Sequence, residues 1–335
     1  MLFKNLWLFL VLISILLPGC NRQSFGMIDG HNGIPINRFD SVLYKWVETD
    51  DSIGLQTLLN DYPQMLGLLG KSLFQTDYID SAVFFDNLKK YYSEPTLKSL
   101  YTDALTYYAT NSSATKQIEQ ELSYGFSRLN ELFPSLQIPA IYMHVSGLQQ
   151  NMIVADSLLS FSIDKYLGSE YQLYKSFFYD YQLKSMTSEQ VVVDALYAWI
   201  TSEFPFQVNE PVLLDRLIYE GKISYLLMQT GLNYSLQQIV PFTENEYKWC
   251  LKNESSLWKT IINRKHFDIT DALVISKYFY PAPSSFIASD APGNLGNFVG
   301  YRIVAGYMKQ TKSTCEALMQ NNNAQDILKK SKYKP

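Results

Sequence analysis

Residues 138–163 contain two β-type runs, Ile138-Pro-Ala-Ile-Tyr-Met-His-Val-Ser146 and Met152-Ile-Val-Ala-Asp-Ser-Leu-Leu-Ser-Phe-Ser-Ile163, joined by Gly147-Leu-Gln-Gln-Asn151. Both runs are rich in β-branched and aromatic residues, a composition typical of strands. The glycine-bearing segment between them has the length of a hairpin loop. The sequence therefore predicts a small antiparallel sheet near the middle of the chain.

The segments on both sides of this stretch show helical periodicity. After Asn111-Ser112-Ser113, which suits a helix N-cap, apolar residues recur three or four positions apart until Pro134 ends the pattern. Further helices are predicted at 77–91, 95–109, 189–203, 212–229, 244–264 and 297–309. Since no linker rich in Ser, Pro or Gly divides residues 35–335, we expect one mostly helical α+β domain built around the small sheet.

The composition excludes several classes of protein. The chain has 335 residues, of which 47% are apolar and 18% charged, with a formal net charge of −4. A disordered protein would show the opposite balance of apolar and charged residues. A non-specific nucleic-acid binder needs a concentrated basic surface, and this composition predicts none.

The N-terminus predicts how the protein is localised. Lys4 precedes the apolar run Leu6–Leu17, which is shorter than the about 20 residues of a membrane-spanning helix and typical of a signal peptide. The run ends in Leu17-Pro-Gly-Cys20, which resembles the lipobox of bacterial lipoproteins. This resemblance implies a signal peptide at 1–19, covalent lipid on Cys20 and a polar tether at 20–34. A secretory signal with an incidental cysteine is the alternative.

Motifs for metal or nucleotide chemistry are missing from the sequence. His31, His144 and His266 are far apart, and no H-E-x-x-H is present. We therefore predict no metal site and no cofactor other than the lipid on Cys20, with His144 a hydrogen-bonded strand residue. The glycines of Gly293-Asn-Leu-Gly-Asn-Phe-Val-Gly300 open a helix, and we interpret Gly296 and Gly300 as a face for close helix packing.

Two features leave alternatives open. Cys250 and Cys315 could form a disulfide or remain two free thiols, because the sequence contains no distance information. The aromatic stretches at 174–181 and 278–286 could belong to the core or expose rings that stack on a sugar or receive a peptide.

Several ordered segments carry a family resemblance. Besides the lipobox they are Ile36-Asn-Arg-Phe-Asp40, Leu159-Ser-Phe-Ser-Ile-Asp-Lys-Tyr-Leu-Gly168, Leu214-Asp-Arg-Leu-Ile-Tyr-Glu-Gly-Lys222, Glu246-Tyr-Lys-Trp-Cys-Leu-Lys-Asn-Glu254, Pro292-Gly-Asn-Leu-Gly-Asn-Phe-Val-Gly-Tyr-Arg-Ile-Val304 and the end, 324–335. In order and spacing the chain resembles the gliding-motility lipoprotein GldB family of Bacteroidetes. The resemblance implies a membrane-anchored component linked to gliding and type IX secretion, facing the periplasm because no acidic cluster follows Cys20. It implies no particular molecular activity.

A more distant likeness concerns the order of elements. A short sheet, a helix at 189–203 and a later helix with Tyr219-Glu-Gly221 resemble the plan of zincin metallopeptidases. The first helix has no histidine, so Glu220 would stand alone in the place of the third zinc ligand. The likeness implies a degenerate scaffold whose sheet edge could bind an extended peptide. A structural role for Glu220, such as pairing with Arg216 or Lys222, is the simpler interpretation.

Three functional hypotheses follow. The first is a non-catalytic lipoprotein that binds envelope proteins or peptides. The second is an envelope hydrolase that uses Glu220 with Asp194 or Asp215, although Asp215 and Glu220 lie about 140° apart on an ideal helix. The third is a glycan-binding lipoprotein. The candidate groove residues are Glu220, Tyr219, Tyr278, Tyr280 and Phe286.

Overall fold

The computed structural model describes residues 33–76 and 81–335, and 62% of the structure is helical. This confirms the mostly helical α+β class. The predicted signal peptide, Cys20 and His31 lie outside the described residues. The helices are α1 (Phe39–Thr49), α2 (Ser52–Asp61), α3 (Pro63–Phe74), α4 (Ala82–Tyr92), α5 (Pro95–Tyr107), α6 (Ser113–Leu132), α7 (Asp180–Leu183), α8 (Val191–Glu203), α9 (Leu213–Gln229), α10 (Leu236–Ile239), α11 (Glu244–Asn263), α12 (Ala272–Ser276), α13 (Leu295–Thr311), α14 (Cys315–Gln320) and α15 (Ala324–Ser331).

The four strands are β1 (Ile36–Asn37), β2 (Ala140–His144), β3 (Met152–Ala155) and β4 (Leu158–Ser162), and they form one sheet in the order β1-β2-β4-β3. The predicted hairpin between the two β-type runs is wrong. β2 pairs in parallel with β4, and only β3 and β4 are antiparallel.

The turn that reverses the chain lies inside the second run, at Asp156-Ser157. Asp and Ser favour turns, and two residues are enough to connect antiparallel strands. The sheet is mixed because β4 lies between β2 and β3, parallel to the first and antiparallel to the second.

The predicted helix at 111–134 is confirmed, with the Ser112 hydroxyl accepting a hydrogen bond from the Thr115 N–H at 3.1 Å. Such a bond satisfies one of the amide groups left free at a helix start. The predicted helices at 95–109, 189–203, 212–229, 244–264 and 297–309 correspond to α5, α8, α9, α11 and α13, with ends shifted by no more than two residues.

Several of the many tyrosines belong to the core. Tyr92, Tyr101, Tyr108 and Tyr174 are at most 1% exposed, and each hydroxyl donates to a backbone carbonyl at 2.6–2.8 Å. A buried hydroxyl needs such a partner to offset the loss of water. Part of the tyrosine content is thus explained by packing.

Helix α13 packs closely against α9 at Gly300 and against the preceding segment at Gly296, as predicted for these two glycines. A Cβ atom on Gly300 would lie 2.0 Å from the Leu217 carbonyl oxygen, and one on Gly296 would lie 2.4 Å from the Phe279 ring. Residues Gly33–Pro335 form one compact unit. This close packing places the middle of α9 against α8 and α13, where the candidate site lies.

Candidate functional site

Glu220 lies where α8, α9 and α13 meet, and it is 2% exposed. One oxygen, Oε1, pairs with Nη2 of Arg216 at 2.6 Å, one helical turn earlier on α9. The other oxygen, Oε2, accepts hydrogen bonds from the Tyr197 hydroxyl of α8 at 3.1 Å and from the Asn297 amide of α13 at 3.4 Å. The carboxylate therefore ties three helices together.

Burial raises the pKa of Glu220, while Arg216, Tyr197 and Asn297 partly offset that rise because they stabilise the charged form. The pKa of Tyr197 is raised as well, by burial and by the neighbouring Glu220 carboxylate. The pairing of Glu220 with Arg216 is one of the structural roles predicted from the sequence, and Lys222 takes no part in it.

Arg216 forms the outer part of this cluster. Its side chain is 35% exposed, and its guanidinium lies 5.2–5.8 Å from the ring centres of Phe206, Tyr219 and Phe279. Aromatic faces attract a cation at this distance. The rings and Glu220 together hold the guanidinium in one orientation.

Asp194 belongs to a separate cluster on α8. It accepts hydrogen bonds from Tyr166 at 2.8 Å, Gln190 at 3.0 Å and Asn151 at 3.5 Å. Burial raises the pKa of Asp194, and no basic side chain within the described ranges pairs with it. Polar groups alone therefore stabilise the Asp194 carboxylate.

Asp215 has a local role, since its carboxylate accepts from the Val212 N–H at 3.0 Å and caps the start of α9. Among the residues that the structure describes, no hydrogen bond or ion pair joins Glu220 to Asp194 or Asp215. The three carboxylates of the hydrolase hypothesis thus have different partners and orientations.

A pocket of about 320 Å³ lies along the neighbouring face of α9, and we call it the α9 pocket. Its walls come from α9, from the segment after α8 and from the connection between α14 and α15. Its lining residues are Glu203, Phe204, Pro205, Phe206, Gln207, Val208, Asp215, Ile218, Tyr219, Lys222, Met319, Asn321, Asn322 and Ala324. Of the predicted groove residues, Tyr219 lines this pocket, whereas Glu220 lies on the adjacent face of α9.

Comparison with known proteins identifies a family match that covers this site. A family model described as gliding motility protein GldB matches residues 28–335, which include α8, α9 and α13. The chain belongs to the GldB family. Membership associates it with gliding motility and with lipoproteins. No curated protein and no solved structure matches it. The likeness to zincins therefore stays a prediction.

The second aromatic stretch of this GldB-family chain places its rings in different surroundings. Tyr278 is 1% exposed, and its hydroxyl lies 2.7 Å from Nδ1 of His266. Tyr280 is exposed, and Phe286 stacks on the His266 ring at 5.7 Å. Tyr278 is thus a buried side chain, and its role in a groove stays a prediction. Phe279, between the two tyrosines, is the residue that reaches Arg216.

Among the described residues, His144, Cys250 and Cys315 can be placed in the fold. His144 lies in β2 with Nδ1 2.7 Å from the Ser160 hydroxyl, as predicted, and burial lowers its pKa to about 3. Cys250 is buried and Cys315 half-buried, and both thiols are free. Within residues 33–76 and 81–335, no three His, Cys, Asp or Glu side chains are grouped to hold a metal ion.

Sequence reasoning missed Tyr197 and Asn297 as partners of Glu220. Tyr197 follows Asp194 by three positions, so one face of α8 carries both polar residues, and this spacing is a usable signal. Asn297 is 77 residues from Glu220, and no local pattern could have linked them.

No helix in the described part of this GldB-family chain has the length and apolarity to cross a membrane.

Proposed function

We propose that this GldB-family chain is a lipid-anchored, periplasm-facing envelope protein that acts by binding a protein partner in a gliding or type IX secretion assembly, and not by catalysis. The support from the sequence is the signal peptide with Cys20 and the family motifs. The support from the structure is the outer edge of β3, with which no described strand pairs.

Strand β3 ends the sheet, and no described strand pairs with its outer edge. Within the described chain, Met152–Ala155 make backbone hydrogen bonds only to β4. The Ser162 N–H donates to the Asn151 carbonyl at 2.8 Å, and hydrogen-bonded pairs alternate along an antiparallel ladder. The N–H and C=O groups of Met152 and Val154 therefore point away from the sheet.

This edge carries none of the residue types that usually block strand addition. The segment Met152-Ile-Val-Ala155 contains no proline, lysine or other charged residue. An extended segment of a partner can add to such an edge through main-chain hydrogen bonds. This is the observation on which the proposal of partner binding rests.

The test replaces Val154 with proline, which removes one outward N–H while leaving the pairing with β4 intact, because edge strands tolerate proline on the solvent side. Val154→Thr, which keeps the N–H and the β-branched shape, is the matched control. We expect Val154→Pro to fold but to lose cell spreading and crosslinks to partner proteins, whereas Val154→Thr retains both. Normal spreading and crosslinking by a folded Val154→Pro variant would contradict the proposal.

The two alternatives have their own tests. In the hydrolase hypothesis Glu220 is an acid or base, so Glu220→Gln abolishes cellular function; in our proposal the folded variant keeps it. In the glycan hypothesis exposed rings stack on a sugar, and Tyr278 is too buried to be one of them. The absence of binding on a glycan array and in calorimetric titration would contradict this hypothesis.

A further inference from the structure

Lys222 is a buried cation in the wall of the α9 pocket. It is 5% exposed, and its Nζ donates to the Asn321 carbonyl at 2.7 Å and to the Met319 carbonyl at 3.4 Å. An ammonium group has three N–H donors. Two of them are used by these carbonyls, so one remains for a ligand.

No described carboxylate forms an ion pair with Lys222, although two acids line the same pocket. Asp215 lies seven residues earlier on α9, roughly 10 Å along the helix axis, and it caps Val212. Glu203 is exposed at the end of α8. Burial accordingly lowers the pKa of Lys222 to about 8, with no acid raising it. A buried charge without a counter-charge is costly, and an incoming anion would offset that cost.

The pocket walls indicate which anion fits. They combine apolar side chains, among them Ile218 and Met319, with the side-chain amides of Gln207 and Asn322. Asp215 and Glu203 repel a ligand that carries several negative charges, which disfavours phosphates and polyanions. The volume of about 320 Å³ is at the small end of ligand pockets.

We propose that the α9 pocket binds a single carboxylate carried on an apolar group, paired with Lys222, and that its source is the C-terminal end of a peptide. The apolar walls receive the last side chain, and the side-chain amides of Gln207 and Asn322, which also line the pocket, bond the peptide backbone. This site shares no residue with the β3 edge, so it goes beyond the proposed function and can fail or succeed independently.

The experiment measures binding to the full-length protein by isothermal titration and by NMR. The probes are a mixture of N-acetylated apolar dipeptide acids, the same mixture as C-terminal amides, and hexanoate as a carboxylic acid without a peptide. We expect the acids to bind at least tenfold more tightly than the amides and to raise the pKa of Lys222. Tighter binding of the acids than of hexanoate assigns the source to a peptide end.

Two variants and a control complete the test. Lys222→Met removes the charge and keeps the length of the side chain, and the folded variant should lose the preference for acids. Lys222→Arg should keep at least part of that preference, and Lys309→Met, an exposed lysine on α13, should not change it. The proposal would be overturned if the wild type bound acids and amides equally well or bound neither. It would also be overturned if hexanoate bound as tightly as the peptide acids.

Discussion

Gly221 and Gly300 bring the backbones of α9 and α13 into direct contact: a Cβ atom added to Gly221 would lie 2.3 Å from the Gly300 carbonyl oxygen. Real Cβ atoms do not approach backbone atoms so closely, so neither position accepts another residue without separating the helices. Glu220 precedes Gly221 in sequence, and Asn297 lies on α13. The close approach therefore brings the Asn297 amide within 3.4 Å of the Glu220 carboxylate.

The first prediction concerns this contact. Gly300→Ala should destabilise the fold by about 3 kcal/mol or more, because its Cβ would meet the Leu217 carbonyl and rigid backbone cannot move aside cheaply. Gly67→Ala is the control, since nothing lies within 4 Å of a Cβ there and alanine favours a helix by up to about 1 kcal/mol. Urea unfolding measures both, and equal stabilities of the two variants would contradict the packing.

The second prediction concerns Arg216 and Glu220. Arg216→Met should destabilise the protein by about 2 kcal/mol. This is less than the loss expected for a fully buried ion pair, because solvent screens the partly exposed arginine. The pKa of Glu220 is already raised by burial, so its carboxyl contributes stability below about pH 4.5 that is lost as the pH rises. Without Arg216 this loss grows. The free energy of unfolding of the variant should therefore fall further below that of the wild type at pH 8 than at pH 5.

The control for this pair is the double variant. Arg216→Met combined with Glu220→Gln should be less destabilised than the sum of the two single variants, because the buried charge is then absent. Strict additivity in chemical denaturation would show that the two side chains do not depend on each other.

The third prediction uses His144. The pKa of His144 is lowered to about 3, so the unfolded chain binds a proton below about pH 6.5 while the folded chain does not. Its stabilising contribution is therefore complete above pH 6.5 and is lost as the pH falls toward 3. Between pH 7 and pH 5 the free energy of unfolding, measured with urea, should fall by about 2 kcal/mol more in the wild type than in His144→Asn.

His266→Asn provides the comparison for His144. The pKa of His266 is also lowered, by burial and by Arg264, but this side chain lies nearer the surface. Its replacement should alter the pH dependence of unfolding less than His144→Asn does. An unchanged pH profile for His144→Asn would mean that the buried ring does take up a proton.

The fourth prediction concerns the thiols. Iodoacetamide at pH 8 should modify Cys315 slowly and leave Cys250 unmodified in the folded protein, because burial raises the pKa of Cys250 to about 12. In denaturant both should react, which serves as the control. A disulfide-linked peptide found by mass spectrometry without reduction would contradict the free thiols.

Local rules account for much of what could be predicted. Helix ends at Ser112 and near Pro134 follow from capping and from the missing N–H of proline, and these effects act within a few residues. The same holds for the salt bridge between Arg216 and Glu220, which are four positions apart on one helix. The packing role of Gly300 was also readable, because small residues on one helix face favour close approach.

Contacts between distant segments could not be predicted from sequence. The parallel pairing of β2 with β4, the hydrogen bond from Asn297 to Glu220 and the carbonyl partners of Lys222 join residues that share no local pattern. Tyr278 and Phe279 are adjacent and both aromatic, yet one lies in the core and the other beside Arg216.

The helices, the family and the expected lipid anchor can be read from the amino-acid sequence, because they depend on short periodic patterns and motifs. The order of the strands, the position of β3 at the sheet edge and the pocket around Lys222 emerge only from the packed fold. The physical reason is that dense packing selects among many locally equivalent arrangements, and only the complete set of contacts determines which side chains become buried.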